Sequence, residues 1–323
     1  MLCLDSSLRS LRISAFSALK LAAGIFNAED AEIRRDRRED LKRLQDTLRA
    51  NSTGMNPDIL PNSLPEPHRE FLSRCIDRLS HDPRFVGVAA GGSFITNSMD
   101  EFSDLDLIIA VEPGHQAEVM AERMNVAASL GKLLAAFTGE HVGEPRVLIC
   151  LYEAPLLHVD LKFVSLDDVA IRVEDPGVLW ERDGRLSSAL AQGKAEYPTR
   201  SPQWIEDRFW IWVHYAATKI ARGELFEAID FLAFLRGTVL GPLALARAGA
   251  RPTGVRKIET IAPAFALELQ RTIAFHDAAD CLRALRVCVE LYHSLTPRES
   301  SQRVEDVAME YLAEVERRYD KPK

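Results

Sequence analysis

GGSFITNSMDEFSDLDLII, residues 91–109, is the stretch from which the rest of the chain is best read. Gly91, Gly92 and Ser93 follow a short apolar run. They mark a turn whose free backbone N–H groups and hydroxyl suit phosphate oxygens, with two glycines letting the main chain approach closely. Eleven residues after Ser93, Asp104 and Asp106 open a new apolar run. The two-residue period of a strand aims both carboxylates at one face and sends Leu105 and Leu107 to the other, into a core. Two acids converging at the mouth of a sheet repel each other and favour a divalent cation between them, for which Mg²⁺ is the natural choice.

Outward from this stretch the pattern stays regular. FVGVAA, 85–90, reads as the strand that delivers the glycines, and SDLDLIIAV, 103–111, as a buried central strand. HREFLSRCIDRLS, 68–80, spaces Phe71, Cys75, Ile76 and Leu79 by three and four, as an amphipathic helix does. Residues 114–137 have helical period, and RVLICLYE and PLLHVDLKFV predict strands over 146–153 and 155–164. The second of these carries Asp160 inside an apolar run. An acid there needs a metal, a proton or a cationic partner, and Lys162 on the same strand face is one such partner. Strands mixed with helices predict an α+β domain with a small mixed sheet.

After residue 200 the strand signals stop. Five segments, 204–224, 225–249, 264–277, 278–295 and 304–319, carry apolar stripes at helical spacing, so the chain ends in an all-α bundle. The expected organisation is an N-terminal extension and linker over 1–66, a catalytic domain over 67–200 and a helical domain over 201–323. Residues 8–26 are apolar behind Arg9 and Arg12, but Lys20 interrupts them and no clear cleavage site follows. Residues 29–49 are a dense mixed-charge run, and a chain begun at Met55 is expected to be self-contained.

The chain has 323 residues and a formal net charge of −8. Residues 55–200 hold 13 basic and 23 acidic side chains, whereas 201–323 hold 17 of each. An acidic first domain disfavours long nucleic acid and attracts metal ions and cationic small molecules. The five cysteines are scattered without metal-binding spacing, which fits a reducing cytoplasmic setting. No run of 18 uncharged apolar residues is present, so no membrane association is expected.

A Gly-Ser turn, D-x-D on the following strand and a lone Asp on a later strand resemble the DNA polymerase beta-type nucleotidyltransferase superfamily. Within it, the helical C-terminal half is similar in character to the aminoglycoside (streptomycin 6-adenylyltransferase-like) and lincosamide nucleotidyltransferases. The resemblance implies that Gly92 and Ser93 meet the triphosphate of ATP or another nucleoside triphosphate. It implies that Asp104 and Asp106 bind Mg²⁺, two ions in all, and that Asp160 completes the metal site or accepts the acceptor hydroxyl's proton. Lys219 and Arg222, three apart on one helical face, are carried as phosphate contacts against the plainer reading of a solvated helix end. The function implied is transfer of a nucleoside monophosphate, AMP from ATP, to a hydroxyl of a small molecule such as an aminoglycoside. The alternatives are transfer to a protein or RNA acceptor and a non-catalytic nucleotide-binding module. His158 is read as structural, Trp204, Trp210 and Trp212 as core, and Glu140 and Glu144 as solvated.

Overall fold

A computed structural model describes residues 59–296 and 302–319, and the chain divides into two compact units, 1–196 and 197–323. The expectations for residues 8–26 and 29–49 and for a start at Met55 lie outside the described residues.

The first unit opens with helix α1, Glu66–Ser80, entered through Pro65 in an extended conformation that suits a helix start. Its stripe of Phe71, Leu72, Cys75, Ile76 and Leu79 is buried. Strands β1 (Phe85–Ala90) and β2 (Leu105–Val111) flank the glycine turn, and helix α2, Gln116–Ser129, follows. Next come β3 (Leu133–Gly139), β4 (Glu144–Tyr152), β5 (Leu157–Ser165), β6 (Gly177–Glu181) and a short helix α3, Arg185–Leu190. The six strands form one sheet in the order β3-β4-β5-β2-β1-β6, with β2 and β5 parallel and the other neighbours antiparallel. The chain crosses from β2 to β5 through α2, β3 and β4, so β2 and β5 end up central although some 45 residues separate them in order.

One face of the sheet lies under α1 and α2, where Phe71, Ile76, Val119 and Ala127 share a core with Leu105, Leu107, Leu148 and Leu161. Each of the phenylalanine, isoleucine, valine and leucine side chains among these contributes about 1.5–3 kcal/mol. On the other face a smaller cluster of Val86, Ala89, Ala110, Val164 and Leu186 packs beneath α3.

Two expectations need correction. The helix predicted over 114–137 ends at Ser129, and Leu133–Gly139 is a strand instead. Gly131 separates them, and a Cβ there would lie 3.2 Å from the Tyr152 ring. Leucine and alanine favour a helix locally, but the segment pairs with β4 as its hydrogen-bonded neighbour, and tertiary pairing overrides propensity. Strand β6 was also not expected; GVLWE is short, and its place depends on pairing with β1.

The second unit is helical throughout: α4 (Pro202–Ala221), α5 (Leu225–Leu235), α6 (Gly241–Arg247), α7 (Ile258–Ile261), α8 (Pro263–Gln270), α9 (Ala278–Leu295) and α10 (Gln302–Tyr319). Ser201 and Asp277 cap α4 and α9 by accepting from the amides of Trp204 and Asp280. A π-turn over Arg236–Leu240 joins α5 to α6. The resulting helical stretch, Leu225–Arg247, is long and apolar enough to cross a membrane, but it is one of the helices that build this unit's core, and Arg236 within it donates to the Thr272 carbonyl at 2.8 Å. Trp210 is buried, donates to Glu206 and sits edge-on to Tyr292, which stacks on Phe209 at 3.7 Å. Trp204 and Trp212 pack against the same core. Cys75, Cys150, Cys281 and Cys288 are free and buried.

Candidate active site

The glycine turn leaves β1 with Gly92 at φ 59°, a left-handed conformation that glycine adopts without penalty. The Gly91 amide donates to the Asp106 carbonyl at 2.9 Å, which fastens the turn to the start of β2. A Cβ placed on Gly92 would lie 2.1 Å from Asp106 Oδ2. The second glycine is therefore required twice, for its backbone angle and for the room in which the Asp106 carboxylate rests.

Asp106 and Asp160 are direct partners in the parallel β2–β5 pairing. Partners in register point to the same side at adjacent-strand spacing, so residues 54 apart stand next to each other on one face. Asp104 lies two residues before Asp106, on the lead-in to β2, close enough that its charge adds to the upward shift of the Asp160 carboxyl. Burial is the larger cause of that shift, and His158 opposes it. His158 Nε2 donates to Asp160 Oδ1 at 3.0 Å, so this histidine lies directly against the Asp160 carboxylate. Lys162 does not neutralise Asp160. It pairs with Glu144 at 2.9 Å. Glu144 is accordingly not the solvated loop residue expected: Arg146 and Lys162 together hold its carboxyl down at about 2.

Two residues without a sequence signal shape the turn. Glu174, in the loop before β6, accepts from the Gly92 amide at 2.8 Å. It could not be found from the sequence because β6 itself was not. Buried His68 of α1 bonds to the Ser103 carbonyl at 2.7 Å. A carbonyl only accepts, so Nε2 carries the proton, and the bond ties the approach to Asp104 to the helical layer.

Lys219 and Arg222 lie at the end of α4 in the second unit. Lys219 pairs with Glu224 at 2.7 Å and Glu227 at 3.0 Å, and Arg222 with Glu224 at 2.6 Å. Their charges are matched locally within that unit.

The donors beside the turn are hard carboxylate oxygens, and burial with the nearby Asp104 charge raises Asp160, so in kind they fit a divalent cation. Among the described residues no group of three or more His, Cys, Asp or Glu side chains is gathered as a formed coordination site. Asp106 rests against Gly92 and Asp160 bonds to His158.

No protein-family model matches the chain, and no curated protein matches it. Among solved structures it is similar to an aminoglycoside 6-adenyltransferase from Bacillus subtilis, at 15% identity over 78% of this chain and 98% of that one, with a TM-score of 0.32. It is also similar to a nucleotidyltransferase-like protein from Exiguobacterium sibiricum 255-15, at 16% identity over 75% of this chain and 77% of that one, with a TM-score of 0.33.

Proposed function

We propose that the chain is a nucleotidyltransferase that moves a nucleoside monophosphate, AMP from ATP, onto a hydroxyl of a small molecule. The observation that carries this reading is the register pairing of Asp106 with Asp160 beside a glycine turn that closes on Asp106. In this reading Gly92 and Ser93 meet the pyrophosphate portion of the triphosphate, and Asp104, Asp106 and Asp160 hold Mg²⁺. A cation held there would supply positive charge for the attacking oxygen and the leaving pyrophosphate. Asp160 accepts the acceptor's proton as the hydroxyl oxygen bonds to the α-phosphorus and the bond from that phosphorus to the pyrophosphate oxygen breaks. Burial makes Asp160 a better base than an ordinary carboxylate, and His158 orients it. Lys219 and Arg222 would serve as phosphate contacts only on giving up their partners Glu224 and Glu227.

Incubation with labelled ATP and Mg²⁺, with and without aminoglycosides and other hydroxyl compounds, tests the assignment. Label is expected on a small molecule and is expected to disappear in an Asp104→Asn, Asp106→Asn double variant. Label on RNA or on the protein itself would replace the acceptor class, and full activity in a folded double variant would remove these acids from the chemistry.

A further inference from the structure

The row that joins Asp106 to Asp160 continues across the sheet. Asp160 pairs in register with Ile149 of β4, and Ile149 with Phe137 of β3. All four side chains therefore stand on one face. One step along the strands, His158 pairs with Leu151, and Leu151 with Ala135, extending the same face. The opposite face of these strands carries Leu148, Cys150, Val159 and Leu161, which are buried. Phe137 and Leu151 are instead 56% and 38% exposed. An open floor of Ile149, Leu151 and Phe137 thus begins where the acids end, and the Phe137 ring at the sheet edge has the His141 ring beside it at 5.6 Å.

In-line transfer decides what that floor faces, given the nucleotidyltransferase reading on which this inference rests. The glycine turn leaves β1, on one side of β2, and β5, β4 and β3 lie on the other. With the pyrophosphate over the turn and the α-phosphorus at the acids, the attacking oxygen comes from the side opposite the leaving group. That side is the β5-β4-β3 floor.

We infer that Ile149, Leu151 and Phe137 form the acceptor subsite, and that the acceptor is a neutral or cationic alcohol with an aromatic or alicyclic face. The ring face lies on Phe137 and Leu151 while its hydroxyl reaches Asp160. The acids and the surplus of 23 acidic over 13 basic side chains in residues 55–200 disfavour an anionic acceptor. Ile149, Leu151 and Phe137 themselves carry no hydrogen-bonding group, so what they add to binding is contact with a ring face, which a bare polyol lacks.

The test uses the full chain and two probes, 2-amino-1-phenylethanol and glycerol, titrated by calorimetry or saturation-transfer resonance with MgATP present and absent. The phenyl compound is expected to bind and glycerol not. Phe137→Ser is expected to weaken the phenyl compound about tenfold and to leave MgATP binding alone. Met124→Gln, an exposed position on the helix behind the opposite face, is expected to change neither. Absence of phenyl-compound binding, equal binding of glycerol, an equal loss in both variants, or preference for single-stranded RNA would each overturn the proposal. If MgATP fails to bind while the phenyl compound behaves as expected, the ring-binding floor stands and the nucleotidyltransferase reading, with the floor's role as acceptor subsite, falls.

Discussion

At the scale of single residues, Asp160 and Gly92 hold opposite kinds of tension. The Asp160 carboxyl is raised above its ordinary value chiefly by burial, so its ionised form is the disfavoured one. The stabilising contribution of its neutral form is complete below the unfolded value of 3.8 and is lost as pH rises through the raised folded value. Asp160→Asn is therefore expected to be at least as stable as the parent at pH 7, with the advantage fading as pH falls through the raised folded value and gone below the unfolded value of 3.8. Denaturant unfolding at several pH values reads this directly. The same variant should slow transfer by about 10²–10⁴-fold as a lost base and should lose thermal stabilisation by Mg²⁺. Gly92→Ala behaves differently. The left-handed angle alone costs about 1–2 kcal/mol, and the new methyl would meet Asp106 Oδ2 at 2.1 Å. Both reduced stability and weakened MgATP binding are expected, measured by thermal unfolding and calorimetry.

At the scale of elements, the site depends on which strands are neighbours. Glu144 and Lys162 link β4 to β5 beside the row that carries Asp160. With the Glu144 carboxyl lowered to about 2 by Arg146 and Lys162, its contribution is present above the unfolded value of 4.5 and is lost as pH falls toward 2. Glu144→Gln should lower stability at pH 7 and leave it unchanged near pH 2, as followed by denaturant titration. Strand β3 shows how an element's identity can be set from outside itself. Leu133–Gly139 has the composition of a helix continuation, yet its pairing with β4 makes it the sheet edge and exposes Phe137 on the acid face. The same holds for β6, five residues that take their conformation from β1 and bring Glu174 to the Gly92 amide.

At the scale of the whole molecule, two separate cores account for the two units. Phe71, Leu107 and Leu161 belong to one, and Trp210, Leu235 and Tyr292 to the other. Each unit is large enough to bury its own core, so fragments 55–196 and 197–323 are expected to fold independently and to give cooperative thermal transitions, a sheet-containing and a helical circular dichroism spectrum respectively. Loss of the transition in either fragment would count against that. Much of this organisation was legible in the sequence. The 3.6-residue period reveals α1 and the long helices, and the 2-residue period reveals β2, β4 and β5, because one face of those elements is buried more deeply than the other; β1 is legible instead as a continuous apolar run, all of it buried. The Gly-Gly-Ser turn and Asp104 and Asp106 were legible because a strand's period and a glycine's conformational freedom are local properties. Only the tertiary structure decided that Asp160 stands beside Asp106, that His158 and not Lys162 answers it, that Glu174 sits on the Gly92 amide, and that the acid face runs on to Phe137. Asp160 lies 54 residues from Asp106, Glu144 lies 18 from Lys162 and Glu174 lies 82 from Gly92, and which of these segments become neighbours is set by the packing of the whole sheet against its helices, which no local pattern encodes.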